Sequence, residues 1–251
     1  SNVSMVMMFD GDSIFHPGTS LIYNIDDRRL NLLREGDKTS KAPFVNTYHD
    51  LDMSFQQLKW QIDSDEVVFG TIPGNTSSPA NFESSNYFSE NRFRDLLGID
   101  KQHPLLRLDD FVKKYGQNNS FLIQDFLNLS KFSDEQDIKF LLNMDAQGFI
   151  IYDKAKKRVF VKENVNRYIM AKSEKIDHDV INFVSNKPKN NKNAVLNLLN
   201  MDMNIYGVDR VFLSSVRDVL AYPSDNEILV KQGRDFSMGG TLIAGQGGRF
   251  R

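Results

Sequence analysis

The spacing of apolar residues changes period twice along this chain, and no other feature limits its fold so strongly. From residue 3 to about 83, apolar side chains alternate with polar ones or form short runs, as strands do. Between about 84 and 165 they fall three and four apart, the spacing of helices with one buried face. Past about 166 the short runs return. The expected fold class is α+β. Antiparallel or repeating β-sheet segments at 1–83 and 166–251 flank a small three-helix winged-helix-like unit at 84–165.

Local chemistry supports the elements. Val3–Phe9 is an apolar run of strand length that stops at Asp10-Gly11-Asp12, a turn sequence. Leu21–Ile25 leads through Asp26-Asp27 into Arg29–Leu32 and predicts a hairpin. Leu51–Phe55 alternates, and Glu66–Ile72 runs up to a Pro73-Gly74 turn. In the middle, Ser89 caps a short helix carrying Phe93, Leu96 and Leu97, with Gly98 past its end. Leu105, Leu108, Phe111, Val112 and Tyr115 predict a helix closed at Gly116, and Phe121–Leu129 predicts the next. Ser133-Asp134-Glu135-Gln136 is a capping box opening a helix with Ile138, Leu141 and Leu142 inward, ended by Gly148. Phe149–Tyr152 and Arg158–Val161 then form a hairpin that covers the helices, which are too few to bury a core alone.

The C-terminal third repeats short strands: Ile176–Ser185, Val195–Leu199, Met201–Ile205, Arg210–Leu213, Ile228–Val230 and Phe236–Ala244. Turn residues Gly207, Pro223 and Gly233 sit between them. Such regular spacing predicts a meander or a β-array whose rungs stack.

Charge and residue inventory exclude several functions. Lys plus Arg is 31 against 33 for Asp plus Glu, a net charge of -2, so the basic excess of a phosphate-binding protein is missing. Cysteine is absent, which removes thiol catalysis, thiolate metal sites and disulfides. His16, His49, His103 and His178 are scattered, with no pair at ligand spacing. No apolar run reaches bilayer length, and no signal-peptide pattern opens the chain. It starts Ser1-Asn2-Val3 without Met and stops at Gly247-Gly248-Arg249-Phe250-Arg251, so both ends are expected to be cuts in a longer polypeptide.

Four places could carry chemistry. Met7-Met8-Phe9-Asp10-Gly11-Asp12 is similar to the nucleophile motif of haloacid-dehalogenase-like phosphatases, whose two aspartates attack phosphorus and move the proton beside a magnesium ion. The hairpin pattern that follows departs from the parallel sheet this requires, and a turn with two solvated carboxylates is preferred. Asp63–Glu66 and Asn200–Asn204 place oxygen atoms at alternate positions, but Ile205 and Val211 stand where a calcium loop needs Gly and Glu. The basic wing Lys154, Lys156, Lys157 and Arg158, with Lys113-Lys114, is the candidate binding site. The helix that would enter a DNA groove begins Asp134-Glu135-Gln136-Asp137, which opposes phosphate, and lysines on a hairpin also serve solubility. Tyr48 and Tyr87-Phe88 are the aromatics outside periodic segments. The Gly-rich end, Gly239-Gly240 to Gly247-Gly248, lacks a phosphate-loop Lys, and no Ser, His and Asp set stands out.

Ala80-Asn81-Phe82-Glu83-Ser84-Ser85-Asn86-Tyr87-Phe88, Gln147–Asp153, Ser185-Asn186 and Gly239–Gly245 resemble a family of very long, uncharacterised Gram-negative bacterial proteins. The resemblance implies many β-strand repeats around a small helical insert, export to the periplasm or outer membrane, and no catalytic residues. Gly245-Gln246-Gly247-Gly248 carries more glycine than that pattern has before its next aromatic strand.

The expectation is thus a non-catalytic structural or protein-interaction segment without metal or cofactor. Its partners would be the remainder of a larger polypeptide or another envelope protein. A winged-helix nucleic-acid-binding protein is the alternative, and a dehalogenase-like phosphatase ranks below it.

Overall fold

The computed structural model describes residues 2–34, 41–72, 79–97, 102–176, 181–186, 188–213, 219–244 and 248–250. The readings at Pro73-Gly74, Gly98, His178 and Gly245-Gln246-Gly247 lie outside these residues. The chain divides into two compact units. The first takes Ser1–Glu35, Pro43–Ser85 and Val180–Arg251, and the second takes Gly36–Ala42 and Asn86–Asp179.

Strands of the first unit come from both ends of the chain. Before the helices lie β1 (Asn2–Phe9), β2 (Asp12–Asn24), β3 (Arg29–Leu33) and β4 (Phe44–Asn46). They continue as β5 (Leu51–Ser54), β6 (Gln57–Gln61), β7 (Glu66–Gly70) and β8 (Ala80–Ser84). The second unit contains α1 (Glu90–Leu97), α2 (Pro104–Tyr115), β9 (Ser120–Leu122), α3 (Ile123–Leu129) and α4 (Asp134–Ala146). It closes with β10 (Ile150–Asp153), β11 (Arg158–Val161) and α5 (Glu163–Lys172). The first unit resumes with β12 (Asn182–Ser185), β13 (Lys192–Asn197), β14 (Met203–Tyr206), β15 (Val208–Phe212) and β16 (Val219–Pro223). Last come β17 (Glu227–Val230), β18 (Phe236–Ser237), β19 (Gly240–Ala244) and β20 (Gly248–Phe250).

β2 organises the sheet because its 13 residues serve three neighbours, β1 and, in succession, β4 and β3. Ile14 and Phe15 pair with Asn46 and Val45 of β4, whereas Ser20–Asn24 pair with β3. One antiparallel arm therefore runs β2–β4–β5–β8–β12–β15–β16–β19–β20. The other runs β2–β3–β6–β7–β13–β14–β17–β18. Period-two alternation puts one face of each arm inward. On the first arm Met53, Phe82, Phe183, Val211 and Ala221 stand opposite one another across the strands. On the second, Leu32, Leu58, Phe69, Ala194, Ile205 and Ile228 do the same.

Both rows belong to a single buried cluster, so the arms pack face to face as a sandwich. Phe55, just past β5, lies 4.8 Å from Phe69 across that core, and Phe183 lies 6.5 Å from Phe236. Each buried aromatic or aliphatic side chain contributes roughly 1.5–3 kcal/mol by leaving water.

The α+β expectation, with two β segments around a three-helix winged-helix-like unit, is overturned. The chain is mostly β, 44% strand against 25% helix. The two β segments are one antiparallel sheet system, joined where β7 meets β13 and β8 meets β12. Among the described residues the middle unit has five short helices rather than three, and its hairpin is part of a three-stranded sheet with β11 between β9 and β10. Alternation along a strand reports which face is buried but not which distant strand lies beside it, and so the junction escaped a local reading.

Within the second unit, Leu105, Leu108, Phe121, Phe126, Leu141, Phe149, Val159 and Tyr168 share a separate core. The capping box at the start of α4 is formed by Ser133 and Gln136 as their spacing predicts. Gly116 ends α2 for a reason other than a left-handed turn. Its φ is -84°, but a Cβ there would stand 2.5 Å from the Val112 carbonyl oxygen.

Candidate functional site

The basic wing is built by the Asp153↔Arg158 pair that closes the β10–β11 hairpin. Lys154, Lys156 and Lys157 occupy its exposed turn, with Lys157 at φ 52°. Lys156 folds back on the turn: its ammonium is 3.3 Å from Asp153 Oδ2 and 5.8 Å from the Phe160 ring centre. Arg158, two residues from Phe160 on β11, donates from its Nη1 to Ser120 Oγ of β9 at 3.0 Å. Two of the four cations, Lys156 and Arg158, are thus already engaged within the chain. With its lysine exposed to solvent, the Lys156–Asp153 pair adds at most about 1 kcal/mol to stability.

The first turn of α4 reinforces that conclusion. Asp134 and Glu135 are exposed at the helix start, where their charge suits the helix dipole but repels phosphate. Asp137 is buried, held by Arg107 Nη2 at 2.6 Å and by the Ser130 hydroxyl at 2.9 Å. The Arg107 guanidinium lies 4.9, 4.5 and 4.6 Å from the ring centres of Phe126, Phe132 and Phe140. This charged pair clamps α2, α3 and α4 together. It is unavailable to a groove.

Asp10 lies in the two-residue turn of the β1–β2 hairpin and Asp12 just past it, opposite Phe9. Asp10 and Gly11 have φ of 42° and 102°, the positive values a two-residue hairpin turn demands. Asp12 Oδ1 accepts from the Thr47 hydroxyl at 3.0 Å, and Thr47 Oγ1 accepts the Ser13 N–H at 2.8 Å. The dehalogenase motif requires a parallel strand leading to a crossover helix; here an antiparallel strand returns at once. Asp202 is likewise occupied locally, exchanging hydrogen bonds with the Asn200 amide at 3.0 Å. Among the described residues, no group of three His, Asp or Glu side chains is placed to hold a metal ion.

The three described histidines are all buried. His49 is the most consequential. Its Nε2–H donates to the Met201 carbonyl at 2.8 Å, and its Nδ1 accepts from Asn46 Nδ2 at 2.8 Å. That arrangement requires the neutral ring, and burial holds its pKa below the usual histidine range. Met201 itself sits at φ 58°. Nothing in the local pattern around His49 foretells a partner 152 residues away.

An unfinished edge remains. Among the described residues β1 pairs with β2 alone, and β2 past Ser20 pairs with β3 alone. Leu21 and Tyr23 stand opposite Leu32 and Leu30 on the core side of the sheet, yet are 44% and 45% exposed. Val6 and Met8 of β1 are 51% and 70% exposed. β1 has no charged residue and no proline, the devices that normally guard an edge from pairing. Behind this edge the outer face of β3, β6 and β7 forms a concavity of about 530 Å³, lined by Ile22, Arg29, Asn31, Lys59, Glu66 and Val68. The geometry suits receipt of an extended strand: open backbone groups along β1 and β2, and apolar side chains on alternate sides. Compared with protein-family models, curated proteins and solved structures, the chain matches none.

Proposed function

We propose that this chain is a non-catalytic interaction segment of a longer, exported envelope polypeptide, and that its open edge pairs with further strands of that polypeptide or of another envelope protein. The observation that carries the reading is the exposure of Leu21 and Tyr23 on the core side of β2, a hydrophobic layer left uncovered at one end. An added strand would cover both side chains and bond the bare backbone of β2 in the same step. Export places such a segment in the periplasm or against the outer membrane. Among the described residues, no helix is long and apolar enough to cross a membrane.

Amide exchange compared between the 251-residue chain and the longer polypeptide that contains it tests this reading. Residues 2–9 and 21–24 should be protected at least tenfold more in the longer chain. Equal exchange in both would count against it. Metal-dependent phosphatase turnover that disappears in Asp10→Asn would replace it with an enzymatic function.

A further inference from the structure

α4 ends on a carboxyl group that its surroundings do not favour as an anion. Asp145 is completely buried. Its Oδ1 accepts the Tyr152 N–H of β10 at 3.0 Å, and its Oδ2 has no hydrogen-bond partner among the described residues. Asp145 lies in the last turn of α4, where the helix dipole disfavours negative charge. The turn that follows is tight: Gly148 N–H donates to the Asp145 carbonyl at 2.9 Å, and Phe149 N–H to that of Met144 at 3.0 Å. The Asp145 side chain is thus the link from the helix end to the third residue of the hairpin's first strand. Two titratable groups bear on it, Tyr152 from β10 and Lys162 from the segment leading into α5.

We propose that Asp145 is a protonation latch between α4 and the β10–β11 hairpin, closed while its carboxyl is neutral and loosened when it ionises. Burial pushes its pKa up to about 7, outweighing the opposing pulls of the Tyr152 N–H and of Lys162. Once the hairpin opens and water reaches the carboxyl, the group returns to its ordinary value of 3.8. Below that value both states carry the proton and the latch is fully closed. Between it and about 7 the open state releases the proton first, so opening becomes about tenfold more frequent with each pH unit. Above the folded value the effect is flat.

Two measurements on the full chain test the latch. The ¹³C shift of the Asp145 carboxyl should titrate near neutrality. Exchange of the Tyr152 amide, corrected for its intrinsic pH dependence, should report an opening constant that climbs about tenfold per unit and levels off near pH 7. Asp145→Asn keeps an oxygen for the Tyr152 N–H and should remove the slope. Lys162→Met leaves the carboxyl in place and should move its midpoint upward, which keeps the idea testable if the Asn variant does not fold. A carboxyl midpoint near 4 overturns the latch, as does an opening constant with the same pH slope in wild type and Asp145→Asn.

Discussion

A single imidazole fastens the early part of the sandwich to a late turn. His49 bonds Asn46 on one side and the Met201 carbonyl on the other, and burial keeps it neutral. Its pKa is lowered in the folded protein, so its contribution is present above the ordinary value of 6.5 and lost as the pH falls below it. In the unfolded chain the ring takes up a proton freely; in the folded one it resists. Trp60, the sole tryptophan, lies on β6 of the same unit and reports its unfolding. The urea midpoint read by Trp60 fluorescence should drop between pH 7.5 and 5.5 in the wild type, and His49→Gln should flatten that fall.

Among elements, turns divide most clearly into what a sequence does and does not disclose. The Asp10-Gly11 hairpin turn is legible because only a few residue types tolerate positive φ at two successive positions. A Cβ at Gly11 would meet nothing within 4 Å, so the cost of Gly11→Ala is backbone strain alone, about 1–2 kcal/mol. Asp10→Asn should leave the urea midpoint within the equivalent of about 0.5 kcal/mol, since asparagine suits the same turn. A destabilised Asn variant would show that the carboxylate does more than turn the chain. The capping box of α4 was legible for the same reason: two side chains must stand three apart to satisfy two amides.

α5 was not legible. Only Val165, Tyr168 and Ala171 are buried in its ten residues, too few to mark a period against the polar background. β4 and β9 have three residues each and carry no pattern of their own. The wing lysines were legible as a charged cluster, whereas the inward turn of Arg158 toward Ser120 depends on a strand 38 residues earlier.

At the scale of the whole molecule the decisive feature is the seam between distant parts of the chain. Phe82 and Phe183 stack with ring centres 5.5 Å apart where β8 meets β12. Both are buried in the core shared by the two arms. Phe183→Ala should therefore cost about 3–5 kcal/mol and lower the Trp60-reported transition of the first unit as a whole, rather than loosening one strand. A local effect confined to amides of β12 would mean that the arms are stabilised separately.

The same seam has a consequence for biosynthesis. Asn182 hydrogen-bonds Glu83 and follows it by 99 residues. A ribosome adding about 5–20 residues per second leaves β8 waiting roughly 5–20 s for its neighbour. During that interval the helical unit can emerge and condense in full, while the earlier strands stand half-paired. The nascent sandwich therefore needs shelter from stray pairing until its last third has been made.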